Sequence, residues 1–344
     1  MVTALFRFAL KHLPRLTRAL RHHWLLVLCL LLFSMEFTLR VYHVPYRITW
    51  IPEFPAYDRM LFYRFVYSVQ DRVEYAPGTY CTMKSHGSFF IRGNGDDSPP
   101  PAPTADPVVV CLGGSTTWGG SVNDEETFPA SLEQLLRRKR KDARVYNLGV
   151  PGSSTFYGLA RGIPDALDLD PDTVVIAYGG LNDSFKVHFR ESTYRPTSRL
   201  LMLLRSFHLY RVGEAAAFRY VLFPRPVMRV TREEYGANLE SMTRRLRERG
   251  VAVVFVTEAI VPERMNRHDF IEQSFIDSLS GEMIKRSRQL NVPVVVAQRC
   301  LGSQFATLYQ KNGIHWTAQG NAKIAACLAD ELAQSRQNQS SSGQ

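Results

Sequence analysis

Val108-Val-Val-Cys-Leu-Gly-Gly-Ser-Thr-Thr-Trp118 is an unbroken apolar run that ends in two glycines and a serine. A run of this length without polar alternation reads as a strand covered on both faces, as in a parallel sheet. Four more such runs follow at Ala143 to Leu148, Thr173 to Ala177, Val251 to Thr257 and Val292 to Ala297. Helical patterns lie between them. Thr127 can cap a helix that has Pro129 in its first turn and sets Phe128, Leu132, Leu135 and Leu136 on one face. Thr231 and Glu234 form a capping box ahead of Tyr235, Leu239, Met242 and Leu246. Thr317 can cap a last helix whose inner face is Ile324, Leu328 and Leu332. This alternation predicts a doubly wound α/β sandwich, in which ligands bind beyond the carboxyl ends of the strands.

Ser115 falls at such a strand end. The preceding glycines let the turn tighten and the backbone approach a ligand. Neither G-x-G-x-x-G nor G-x-x-x-x-G-K-[ST] is present, which argues against dinucleotide and P-loop binding, and Thr117 breaks the G-x-S-x-G nucleophile elbow. Near the other end, Lys311-Asn-Gly-Ile-His-Trp-Thr317 sets His315 ahead of the final helix, where it can accept the Ser115 proton. Val150-Pro-Gly-Ser-Ser154 and Tyr178-Gly-Gly-Leu-Asn-Asp183 end two further apolar runs. Each motif alone has a plainer reading: a helix cap, a surface histidine, a Pro-Gly turn and a strand-ending turn. Together they bring a hydroxyl, an imidazole, a bare backbone and a carboxamide to one sheet edge.

The order of these blocks resembles the SGNH/GDSL hydrolase superfamily over roughly residues 107–335. By that resemblance Ser115 is the nucleophile, His315 the base, and Gly152 and Asn182 the glycine and asparagine of the middle blocks. It implies a three-layer αβα sandwich on a five-stranded parallel, flavodoxin-like sheet, and hydrolysis of ester-linked acyl groups through an acyl-enzyme. Attack on an ester creates an oxyanion that needs preorganised donors. The Ser115 and Gly152 amides and the Asn182 side chain can supply three. Two positions depart from the family pattern. Gly114 stands where aspartate is usual, and Asn312 stands three residues before His315, where an aspartate commonly orients the imidazole. In a serine protease the comparable aspartate-to-asparagine change costs about 10⁴ in turnover, largely through the wrong tautomer. Asp183, Glu263 and Asp269 are alternative acids by loop position. Trp118, Phe156, Tyr157, Phe185 and Trp316 flank the blocks and can form an apolar or sugar-stacking wall, or simply core.

Before the first strand the chain changes character. The net charge is +10, and Arg7, Lys11, Arg15, Arg18 and Arg21 supply half of it before any acid appears. An apolar stretch follows, Trp24 to Phe33, extendable from His22 to Val41, with Glu36 near its far end. About 20 residues are what a bilayer needs. With a basic flank and no small-x-small cleavage pattern, residues 1–43 read as an uncleaved signal anchor of the inner (cytoplasmic) membrane, a single pass that puts the bulk in the periplasm or outside. Residues 44–106 read as a membrane-proximal segment closed by the Pro-rich linker Ser98 to Pro107, residues 107–335 as the hydrolase domain, and 336–344 as a disordered polar tail. Inside the domain, residues 184–230 form a long insertion, read as a lid, a substrate wall or a packed extension. The five cysteines have no zinc spacing, so no metal or cofactor is expected; a Cys81–Cys300 bridge is conceivable in an oxidising compartment. Arg137-Arg-Lys-Arg-Lys141 complements a helix end, and no nucleic-acid-reading motif accompanies it. The expected partners are therefore an acylated glycan or lipid substrate and the membrane. Small acyl groups on envelope or exported glycans come first; an acyltransferase on a polysaccharide and a non-catalytic carbohydrate-binding or assembly component are the rival readings.

Overall fold

The structure, a computed structural model, describes residues 23–24, 26–42, 73–76, 79–86, 89–94, 105–120, 122–187, 190–193, 200, 203–204, 207–217, 227–264 and 273–342. The basic flank at 7–21, most of the Pro-rich linker and Asp269 lie outside them. The chain divides into two compact units, Met1–Glu53 with Arg195–Arg225, and Phe54–Tyr194 with Pro226–Gln344.

In the second unit, β1 (Val73–Ala76) and β2 (Thr79–Cys81) form a small antiparallel ribbon. The strands β3 (Met83–His86), β4 (Phe89–Arg92), β5 (Val108–Gly113), β6 (Arg144–Gly149) and β7 (Thr173–Ala177) belong to the main sheet. A second ribbon pairs β8 (Lys186–Val187) with β9 (Val227–Met228), and β10 (Ala252–Val256) and β11 (Val294–Val295) complete the main sheet. Its order is β11-β10-β7-β5-β6-β4-β3. The five strands from β5 onward are parallel in the flavodoxin-like order 2-1-3-4-5, as the resemblance implies. The sheet is larger than expected, with seven strands, because β3 and β4 pair antiparallel and extend it beyond β6. A free β6 edge would leave backbone donors and acceptors unpaired, and a hairpin from the supposed accessory segment covers it.

Successive residues of β5 face opposite layers. Val108, Val110 and Leu112 pack with Ile163 and Ala166 of a helical stretch over 155–167, with Tyr235, Leu239 and Met242 of a helix at Arg232–Arg247, and with Leu279 and Met283 of another at Gln273–Leu290. Val109 and Cys111 face Phe128 and Leu132 of the helix Phe128–Arg137, and Ile324 and Leu328 of Ala318–Ser342. Thr127 caps the Phe128 helix through the Ala130 amide, and Thr231 with Glu234 closes the expected capping box. The last helix runs on to Ser342, past residue 335, since beyond Gly320 in its first turn no glycine or proline interrupts it before Gly343.

Cys300 pairs with Cys327 rather than with Cys81, which is a buried free thiol. Sequence could not choose between them, because the pairing depends on a short helix (Ala297–Leu301) meeting the last one. In the first unit, residues 26–41 are helical and a second helix spans His208–Ala217. Among the described residues no helix is long and apolar enough to cross a membrane.

Candidate active site

Three strand ends are level, because Gly113 of β5 registers with Gly149 of β6 and with Ala177 of β7. Their loops therefore leave the sheet side by side. From β5 the chain turns through Gly114 into a one-turn helix at Ser115–Trp118. Gly149 must lack a side chain, since a Cβ would overlap the Trp118 backbone nitrogen. The next loop is tied to β5 by Val150 N–H and Ser153 Oγ, which both donate to the Gly113 carbonyl (2.9 and 3.0 Å). Gly152, at φ +74°, takes the left-handed conformation that favours glycine.

Asn182 is buried, and its side-chain nitrogen would stand only 2.3 Å from a Cβ on Gly114. The departure from the usual aspartate at 114 thus has a physical reason: the vacated space holds the carboxamide. From the opposite side His315 reaches Ser115, with Nε2 2.8 Å from Oγ. Its ring lies across Gly120, whose missing Cβ would stand 3.0–3.1 Å from three ring atoms. The structure therefore brings Ser115, His315, Gly152 and Asn182 to one edge of the sheet.

Asn312 also stands where the sequence put it, with Nδ2 2.9 Å from His315 Nδ1. Its orientation decides the protonation of the ring. The Asn312 carbonyl oxygen accepts the backbone N–H groups of Ile314 (3.0 Å) and His315 (3.1 Å), so its NH₂ faces the imidazole. Turning the amide over would aim NH₂ at two N–H donors. Nδ1 is consequently the acceptor, and the single proton of the neutral ring sits on Nε2 and points at Ser115 Oγ. Loss of water around the ring pushes its pKa down to about 4. At rest the ring donates to the serine rather than accepting from it.

Neither described alternative acid rescues this arrangement. Asp183 is buried and takes the backbone N–H (3.0 Å) and hydroxyl (2.5 Å) of Thr155, fixing the Gly152 loop to the Asn182 loop. Burial pushes its carboxyl up to about 7. Glu263 is an exposed residue of a short helical turn. Of the aromatic residues, Trp118, Tyr157 and Trp316 are core: the first carries the Arg92 guanidinium 5.1 Å above its ring, and the last packs edge-on to Phe128. Phe156 and Phe185 remain half-buried.

Three clusters of buried charge escaped the sequence reading. Arg229 forms a forked pair with Glu191 (2.7 and 3.0 Å), and its Nη1 also donates to the Gly152 (2.7 Å) and Asn182 (3.4 Å) carbonyls. Glu191 in turn accepts the Ser154 hydroxyl. Glu258, beyond β10, is hydrogen-bonded to Thr116 and to the Leu181 amide, which neighbour Ser115 and Asn182; burial pushes its carboxyl up to about 7. Arg92 of β4 holds the carbonyls of Trp118, Gly119 and Val122, just after the Ser115 helix, and pairs with Asp124 at 3.0 Å. Their partners lie 26 to 142 residues away, and a lone charge beside an apolar run carries no local signal of that.

Comparison with known proteins matches residues 111–323 to the GDSL-like Lipase/Acylhydrolase family. Comparison with curated proteins returns no match. Among solved structures, the chain is similar to a lipase/acylhydrolase from Enterococcus faecalis (19% identity, 66% of this chain and 95% of that one, TM-score 0.47). It is similar also to LAE5, an alpha/beta hydrolase from the metagenome of Lake Arreo (20%, 66% and 95%, 0.46). A third is Axe2, an acetylxylan esterase from Geobacillus stearothermophilus (18%, 66% and 94%, 0.45). With the family match spanning more than half of its length, the chain belongs to the GDSL-like lipase/acylhydrolase family and is a carboxylic ester hydrolase.

Proposed function

We propose that the protein is a membrane-anchored serine esterase that removes small acyl groups from envelope or exported glycans. The observation that carries the mechanism is the 2.8 Å contact between Ser115 Oγ and His315 Nε2 at the carboxyl edge of the sheet. Ser115 attacks the acyl carbonyl, His315 takes its proton and passes it to the departing alcohol, and water then releases the acid from the acyl-serine. The Ser115 and Gly152 amides and the Asn182 carboxamide hold the oxyanion. In the base form Nδ1 carries the proton and confronts the Asn312 NH₂, so that form is scarce and turnover is slow. Phe156 and Phe185, half-buried after the two donor loops, offer apolar faces to a sugar ring.

The anchor reading is supported by the basic flank before the apolar helix, and a site beyond the cytosol by the Cys300–Cys327 cross-link, a bond typical of oxidising compartments. Hydrolysis of a short-chain nitrophenyl ester by the detergent-solubilised full chain tests the chemistry. Activity is expected in the wild type and loss of at least a hundredfold in Ser115→Ala. Equal turnover in that variant would reject the assignment. A folded chain whose serine never reacts with a fluorophosphonate would favour the carbohydrate-binding role.

A further inference from the structure

We infer that the described part of the insertion, Leu200, Leu203, Leu204 and Phe207 to Ala217, is a second bilayer-seated element, pressed into the interface of an anionic membrane beside the N-terminal helix. The inference rests on the anchor reading above. The described residues of this stretch form one compact unit with the N-terminal segment.

The unit wears its apolar side chains outward. On the N-terminal helix four consecutive residues, Leu30 to Phe33, are 60, 57, 43 and 70% exposed. Consecutive residues of a helix step by about 100°, so together these four circle it, and over this turn the helix is open on all sides. The insertion repeats the pattern: Leu200, Leu203, Leu204 and Phe207 are 67, 60, 36 and 46% exposed. Apart from Val227, at 37%, every large apolar residue that stands exposed among the described residues belongs to this unit. The charge fits the same occupant. Residues 195–225 hold six arginines and one acid, Glu214, and Arg199 and Arg205 bracket the run Leu200-Leu-Met-Leu-Leu204. Leucines flanked by arginines suit acyl chains below and phosphate headgroups above.

One contact fixes the level. Glu36, the only acid in the apolar stretch, accepts the backbone N–H groups of His208 (3.0 Å) and Leu209 (2.8 Å) at the start of the His208–Ala217 helix, and the Arg40 guanidinium at 2.8 Å. Two otherwise orphaned amides of that helix and a carboxylate satisfy each other there. Since Glu36 lies near the outer end of the anchor, the insertion meets the outer headgroup layer.

The test uses the full chain in vesicles of phosphatidylcholine and phosphatidylglycerol, with an environment-sensitive fluorophore on one thiol. Native Cys29, exposed on the N-terminal helix, reports the anchor. Leu203→Cys or Leu200→Cys in a Cys29→Ser background reports the insertion. Nitroxide-labelled lipid should quench both insertion probes at least twofold more than aqueous iodide does, and more strongly with phosphatidylglycerol than without. Quenching at Cys29 alone, with both insertion probes open to iodide, would overturn the inference and leave the anchor standing. Iodide access at Cys29 as well would remove the anchor and the inference with it.

Discussion

The amide of Asn312 decides how Ser115 and His315 behave. Because its oxygen is engaged by two backbone amides, it presents NH₂ to Nδ1 and holds the proton on Nε2. Asn312→Asp replaces that donor by an acceptor with a charge. Turnover of a nitrophenyl ester should rise at least tenfold, and an unchanged or lower rate would contradict the tautomer argument. The pH profile gives an independent check. A ring whose pKa is lowered to about 4 stays neutral down to that pH, so kcat/KM should keep its acidic limb near 4. In Asn312→Asp the carboxylate stabilises the imidazolium and the limb should climb towards the ordinary histidine value. Ser115, Gly152 and Asn182 were legible from the sequence because each follows an apolar run, and His315 because it stands just ahead of the last helix. The direction in which Asn312 turns depends on backbone amides two and three residues ahead, and only coordinates fix those.

The loops that carry Gly152 and Asn182 are braced by a buried ion pair as well as by their own turns. Arg229 grips the Gly152 and Asn182 carbonyls while Glu191 holds its fork. Arg229→Lys keeps the charge and loses the planar fork, so both donor loops relax. It should lower kcat while KM changes little, with the melting temperature close to wild type. A rise in KM at constant kcat would instead place Arg229 in substrate binding. Arg92 belongs to the same class of brace. Arg92→Met strands Asp124 in a buried setting and should cost about 3–5 kcal/mol in denaturant unfolding. The hairpin carrying Arg92 was not legible as part of the sheet. Its strands are four residues each and mix Lys84, Ser85 and Arg92 with apolar residues, whereas the five parallel strands announce themselves as continuous apolar runs.

Over the whole molecule, buried carboxyls set the response to pH. Asp183 and Glu258 titrate at about 7 when folded, against ordinary values of 3.8 and 4.5. Between those limits the native chain holds protons that the unfolded chain has released, so stability falls as pH rises and levels off above about 7. Melting should occur several degrees higher at pH 5 than at pH 8, and Asp183→Asn with Glu258→Gln should flatten that slope. A wild type that melts higher at pH 8 would refute the assignment. The parallel strands were legible in the sequence, since apolar runs and caps are local, whereas their order was implied only by the family resemblance. The two-unit division did not, because Glu36 and His208 are 172 residues apart.

The bond between Cys300 and Cys327 closes a covalent ring of chain around Asn312 and His315. If the chain is exported as proposed, a newly made molecule in a reducing cytosol would carry its imidazole on an open strand, and oxidation outside would cinch the same strand at both ends. Ester cleavage would then be a property acquired on leaving the cell interior, sparing acylated metabolites within it. Dithiothreitol should accordingly abolish turnover at concentrations that leave the rest of the sheet intact by circular dichroism.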